Sequence, residues 1–213
     1  MFRGLYNYAR QLSFPFSIQQ TQSIICSSPE NLRLLWKFFS HKFDPKLQDS
    51  TDYNLAKEES WDEIRKLSSQ AQDRVFRTFH NLIDGMLRTN FYREDKTEHY
   101  LSFKFECSKI QNMPEPRMMV EVYIHHFAME GIHLRGGKIA RGGIRWSDRS
   151  DFRKEILDLV STQMVKNVLI VPEGAKGGFR MKEDIQDRGQ RRARQIRRWR
   201  LSAPRRCRWQ RRA

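Results

Sequence analysis

A chain of 213 residues, 38% hydrophobic and 12% aromatic, can bury a core in one large domain or two small ones. It holds no apolar run long enough to span a bilayer, and its first twenty residues lack the apolar block of a secretory signal. Most of the net charge of +15 sits at one end: residues 180–213 carry 13 arginines and one lysine against three acids, a net +11, leaving +4 for residues 1–179. A nucleic-acid partner, the usual implication of such a charge, is therefore a question about the tail and not the body.

In chain order, residues 1–92 read as a helical segment. "SSPENLRLLWKFFSHKF" has Ser28 as N-cap and Pro29 at the first helical position, with Leu32, Leu35, Trp36 and Phe39 on one face. Asp44-Pro45 stops it, and residues 46–58 read as a polar linker. "SWDEIRKL" opens a further helix with a capping-box pattern from Ser60 to Glu63. Val75, Phe76, Phe79, Leu82, Ile83 and Met86 continue the helical period.

Past Asn90 the period falls to two. "YLSFKFEC", "MMVEVYIHHF" and "EGIHLRGG" read as strands, the first two separated by Pro114 and Pro116. "SDFRKEILDLVSTQMVKN" is helical and buries Phe152, Ile156, Leu159 and Val160; "VLIVP" then reads as a short buried strand. Strands, helix and strand predict a βαβ-like unit, so the class is α/β, or α+β over these residues, with a second domain at 93–179. Residues 180–213 carry too little apolar content for a core and read as a disordered basic tail.

Cys26, Cys107 and Cys207 form no C-x-x-C pair, which suits a reducing compartment such as the cytoplasm and gives no zinc framework. His125 and His126 alternate on a strand and point to opposite sides, so no shared metal is expected. Asp148 and Arg149 are expected to pair at a helix start, with Asp151 as its N-terminal charge.

The chemistry concentrates in two glycine-flanked loops. "RGGKIARGGIRW" sets Arg135, Lys138, Arg141 and Arg145 among Gly136, Gly137, Gly142 and Gly143; "EGAKGG" sets Lys176 among Gly174, Gly177 and Gly178. Glycine permits positive φ and close backbone approach, while the cations supply contacts to an anion. Partial desolvation and neighbouring cations both lower an amine's pKa, as amine catalysis near neutral pH requires. Ordinary turns with a solvated basic rim would show the same spacing. Neither G-x-x-x-x-G-K-[ST] nor G-x-G-x-x-G occurs.

At residues 131–179 the chain closely resembles the large NAD-specific glutamate dehydrogenases of bacteria, through "ARGGIRWSDR", "DFRKEIL", "QMVKN" and "VPEGAKGGF". The resemblance extends upstream through "TNFYRED" and "YLSFKF" toward residue 1. It implies oxidative deamination of L-glutamate to 2-oxoglutarate and ammonia with NAD as hydride acceptor, in a parent enzyme that is a homo-oligomer. It further implies that Lys176 is the catalytic lysine and Lys166 the ligand of the substrate α-carboxylate. Arg141 stands where smaller relatives have a substrate-binding lysine, and Gly142, Gly143, Gly174 and Gly177 shape the substrate loops. Guanidinium and ammonium present donors differently, so Arg141 is a departure from that pattern.

The resemblance is expected to end near Phe179. The arginine-rich tail reads like an out-of-frame translation, and the whole like an inactive fragment without the acid/base aspartate and the NAD domain. The alternative from another class is nonspecific nucleic-acid binding, with the tail arginines on phosphates and Trp199 and Trp209 stacking on bases.

Overall fold

The computed structural model describes residues 1–47, 50–94, 100–138, 140, 142–166 and 174–182. Of the tail expected to be disordered at 180–213, Arg180 and Met181 are instead strand, paired with Glu130 and Met129; residues 183–213, with Cys207, and the expected strand at 168–172 lie outside the described residues.

Five helices come first: α1 (Phe2–Gln11), α2 (Ile18–Ser27), α3 (Pro29–Phe43), α4 (Ser50–Arg65) and α5 (Gln70–Gly85). Ser17 opens α2 with a reciprocal capping box to Gln20. Ser28 and Pro29 do open α3, but the Ser28 hydroxyl caps nothing and instead accepts from Gln72 on α5 at 3.1 Å. The buried stripe of α3 is Leu34, Leu35, Phe38 and Phe39. It is rotated from the expected face, because Trp36 leans outward onto Phe91 with ring centroids 5.6 Å apart.

The expected linker at 46–58 is mostly helix, and Ser60 is no cap. Ser60 lies inside α4, buried in one line with Ala56 and Ile64. Positions four apart share a helix face, and two small residues on that face let α4 close against α3. The apolar stripe of α5 is buried as its period predicts, except that Met86 has already left the helix. A side chain on Gly85 would come within 2.8 Å of Ile110. The chain therefore turns there into strand β1 (Met86–Thr89), which the helical reading of residues 1–92 missed.

The remaining elements are β2 (Leu101–Glu106), β3 (Val120–His125), β4 (Met129–Arg135), β5 (Ile144–Trp146), α6 (Phe152–Lys166) and β6 (Ala175–Met181). They form a mixed sheet in the order β1-β2-β3-β4-β6-β5, antiparallel throughout except where β5 runs parallel to β6. Thus β5, α6 and β6 make the βαβ unit. The "AKGGF" expected as a turn is its second strand, paired on both edges.

Phe103, Phe105, Tyr123, Ile132 and Leu134 alternate onto one buried sheet face beneath α1, α5 and α6. A single core cluster draws on the helical segment and the sheet alike. An ion pair is buried within it. Arg153 of α6 and Glu121 of β3 are 2% and 0% exposed, with Nη2–Oε1 at 2.5 Å and Nε–Oε2 at 3.0 Å. Tyr8 of α1 donates its hydroxyl to Glu121 Oε2 at 2.8 Å, and burial followed by the carboxylate pushes the phenol pKa well up. One carboxylate therefore ties both helices to the sheet.

Removing one member of a buried pair leaves the other charge uncompensated, at a cost of about 3–5 kcal/mol. Arg153→Met should lower unfolding free energy in urea by that amount, and adding Glu121→Gln should recover part of the loss. A double variant less stable than Arg153→Met would contradict the account.

Candidate functional site

The βαβ topology brings several of the predicted positions to one end of the unit. Because β5 and β6 are parallel, α6 must run back between them, and its C-terminus returns to the end where both strands start. Lys166 is the last residue of α6, Lys176 the second of β6, and Gly142 and Gly143 immediately precede β5. Lys176 is half-buried and sits in one cross-sheet row with Leu134 and Glu121, whose Arg153 partner holds α6 overhead. Arg141 lies outside the described residues, although Ala140 and Gly142 on either side are described. Only the backbone of Lys166 is described.

The glycines act by close approach. None of the described glycines has a positive φ, so the expected left-handed turns are replaced by contacts that leave no space for a side chain. A Cβ on Gly142 would fall 1.3 Å from the Ala175 carbonyl oxygen, so the loop before β5 crosses directly over the start of β6. Gly177 N–H donates to the Gly143 carbonyl at 3.0 Å, and Gly136 N–H to that of Gly174 at 2.9 Å. A Cβ on Gly178 would meet Ile156 of α6 at 2.4 Å, so the helix rests on the bare strand. At Gly143 the nearest atom to such a Cβ is Lys176 Nζ, at 4.0 Å.

Two of the loop cations are committed elsewhere. Arg135 turns back on its own loop, donating to the Gly137 carbonyl at 2.7 Å and to that of Lys138. Arg145 donates to Glu155 of α6 at 2.6 Å, and Ser147 donates to the same carboxylate at 2.6 Å. The Ser147 hydroxyl and then Arg145 hold the Glu155 pKa below the ordinary carboxylate value. Sequence reasoning missed Glu155 and Ser147, which clamp β5 to α6; their separation of eight residues carries no motif. Arg149 pairs with Asp151 at 2.8 Å and not with Asp148, because the two-residue step matches the turn into α6. Trp146 is 48% exposed. No group of three or more potential metal ligands exists among the described residues.

The family described as bacterial NAD-glutamate dehydrogenase, catalytic domain, matches residues 59–201. That span starts within α4 and runs past Phe179. The NAD-specific glutamate dehydrogenase of Halomonas elongata is 39% identical over 184 residues, which cover 84% of this chain and 11% of that protein. Its Pseudomonas aeruginosa namesake is 39% identical over 191 residues, 84% of this chain and 12% of that one. The Mycobacterium tuberculosis protein of that name is 38% identical over 190 residues, 85% and 12% of the two chains. The chain belongs to the bacterial NAD-glutamate dehydrogenase catalytic-domain family. It spans roughly a tenth of the length of these relatives.

Gly142→Ala must push the loop off β6, since the obstacle is backbone. Exchange of the Gly177 amide, which donates to Gly143, should accelerate at least about tenfold, equivalent to a local opening easier by about 1.4 kcal/mol. Gly143→Ala meets only a mobile lysine tip and should leave that exchange within about twofold. Equal effects of the two variants would show that close approach does not hold the loop.

Proposed function

We propose that this chain carries the lysine half of the active site for NAD-dependent oxidative deamination of L-glutamate to 2-oxoglutarate and ammonia. The supporting observation is the convergence of Lys176, the end of α6 at Lys166 and the Gly142-Gly143 loop at one end of the βαβ unit. Arg135 and Arg145 are held by other partners, and the resemblance assigns Lys176, Lys166 and Arg141 as the cations for a dicarboxylate. In this reading the Lys166 ammonium holds the α-carboxylate and Arg141 contributes a second cationic contact. The Lys176 amine polarises the carbonyl at the reacting carbon and the water that attacks or leaves it. Its place on a doubly paired strand fixes the Cα, so that only side-chain torsions separate the amine from its working position.

NAD is the cofactor that the relatives' names specify. The described βαβ unit does not fit it. A dinucleotide pyrophosphate needs a glycine-rich turn and free N–H groups at a helix N-terminus. The turn before α6, residues 147–151, has no glycine and already holds the Asp151 carboxylate, paired with Arg149. With G-x-G-x-x-G absent from all 213 residues as well, the polypeptide alone should form no NADH from glutamate.

Calorimetric titration of the 213-residue chain with 2-oxoglutarate tests the assignment. Lys176→Met and Lys166→Met should each weaken binding at least about tenfold, a loss near 1.4 kcal/mol. Lys138→Met, exposed beyond the loop, should change it less than twofold. Undiminished binding by a folded Lys176→Met variant would overturn the proposal.

A further inference from the structure

A second basic site lies at the other end of β6. From Lys176 to Lys182, just past the strand, six residues at about 3.3 Å each span about 20 Å, so the two places are separate. There a cavity of about 530 Å³ is lined by Arg3 and Asn7 of α1, His125 and His126 at the end of β3, and Lys182. Ile18, Leu101 and Phe127 supply its apolar wall, with Phe127 66% exposed. Ile18 is also the first residue of the ten-residue α2, whose positive end abuts the cavity.

Lys182, Asn7 and His125 are held against one another. The Lys182 ammonium donates to the His126 carbonyl at 2.7 Å and lies 3.5 Å from His125 Nδ1. Asn7 Nδ2 approaches the same ring nitrogen at 3.1 Å. Two donors on Nδ1 leave Nε2 as the protonated nitrogen of a neutral ring. Among the described residues the facing carboxylate is Glu130, 3.3 Å from Lys182, and none pairs with Arg3. Burial, then Lys182, the Met1 amine, Arg3 and His126, hold the His125 pKa down to about 4. The cavity thus concentrates more positive charge than Glu130 offsets.

We propose that this cavity binds the phosphate group of a small phosphorylated molecule. Arg3 and Lys182 would take the anionic oxygens, with Asn7 and the His125 N–H as neutral donors and the Phe127 side as the wall for an organic substituent. The volume exceeds what a bare phosphate fills and falls within the range of small-ligand sites. This inference rests on the far end of the sheet and stands independently of the glutamate assignment.

The sign of the pH response follows from the depressed histidine. Between about pH 6.5 and 4 the unfolded chain binds a proton that folded His125 refuses, so stability is complete above pH 6.5 and declines on acidification. A bound anion favours the imidazolium and must raise the folded-state pKa, moderating that decline.

The test is a histidine NMR titration of the 213-residue chain, with and without millimolar inorganic phosphate. The His125 midpoint should rise from about 4 by at least about one unit. Arg3→Met and Lys182→Met should each weaken phosphate binding at least about tenfold, and Lys138→Met should not. Phenyl phosphate binding more tightly than inorganic phosphate would identify an organic phosphomonoester as the natural class; equal binding would identify free phosphate. A His125 midpoint unmoved by phosphate, or binding unaffected in the exposed-site variant Arg3→Met, overturns the proposal. Arg3→Met alone decides the matter if Lys182→Met does not fold.

Discussion

The seating of α6 on β6 is the contact from which the site's geometry follows. A helix normally stands about 10 Å from a sheet because side chains fill the gap. Here Gly178 contributes none, and Ile156 occupies the space where its Cβ would be. One turn toward the N-terminus, Arg153 reaches through the core to Glu121. An apolar contact sets the height of the helix and an ionic one sets its rotation. With both fixed, α6 runs toward the end of the unit where β6 begins and Lys176 lies.

The same economy of space governs the neighbouring loop. Gly142 passes over the Ala175 carbonyl where no side chain could fit, and the Gly143 carbonyl takes the Gly177 N–H. Glu155 and Ser147 fasten β5 to the helix, so loop, helix and strand form one framework. Spending Arg135 and Arg145 on structure reduces the positive charge that the remaining cations must tolerate, while a dicarboxylate would supply the balancing charge.

Legibility from sequence followed the range of the forces involved. The stripe from Val75 to Ile83 and the alternation of Phe103 and Phe105 are local periodicities, and both are buried as read. Trp36 misled because its partner Phe91 lies far along the chain. Ser60 resembled a cap because a serine three residues before a glutamate has the same local pattern inside a helix. Strand β6 was hidden by the residues that make it useful: Gly177 and Gly178 read as a turn, yet they are bare so that Ile144 and Ile156 can approach. The three-residue β5 is too short for any period to show. The half-buried place of Lys176 between glycines keeps the local pattern that the sequence shows; the buried role of Arg153 was not legible, because nothing local marks a helical arginine as internal.

The most direct test of the central claim asks whether the lysines act on one ligand as one site. Reductive ¹³C-methylation of the lysines, with assignment by single Lys→Arg replacements, would let each amine be followed during a 2-oxoglutarate titration. The account predicts that the Lys176 and Lys166 signals move together along a single saturation curve, while Lys138 and Lys182 stay still. A Lys176 signal that remains fixed while the ligand saturates, or that follows a different curve from Lys166, would contradict it.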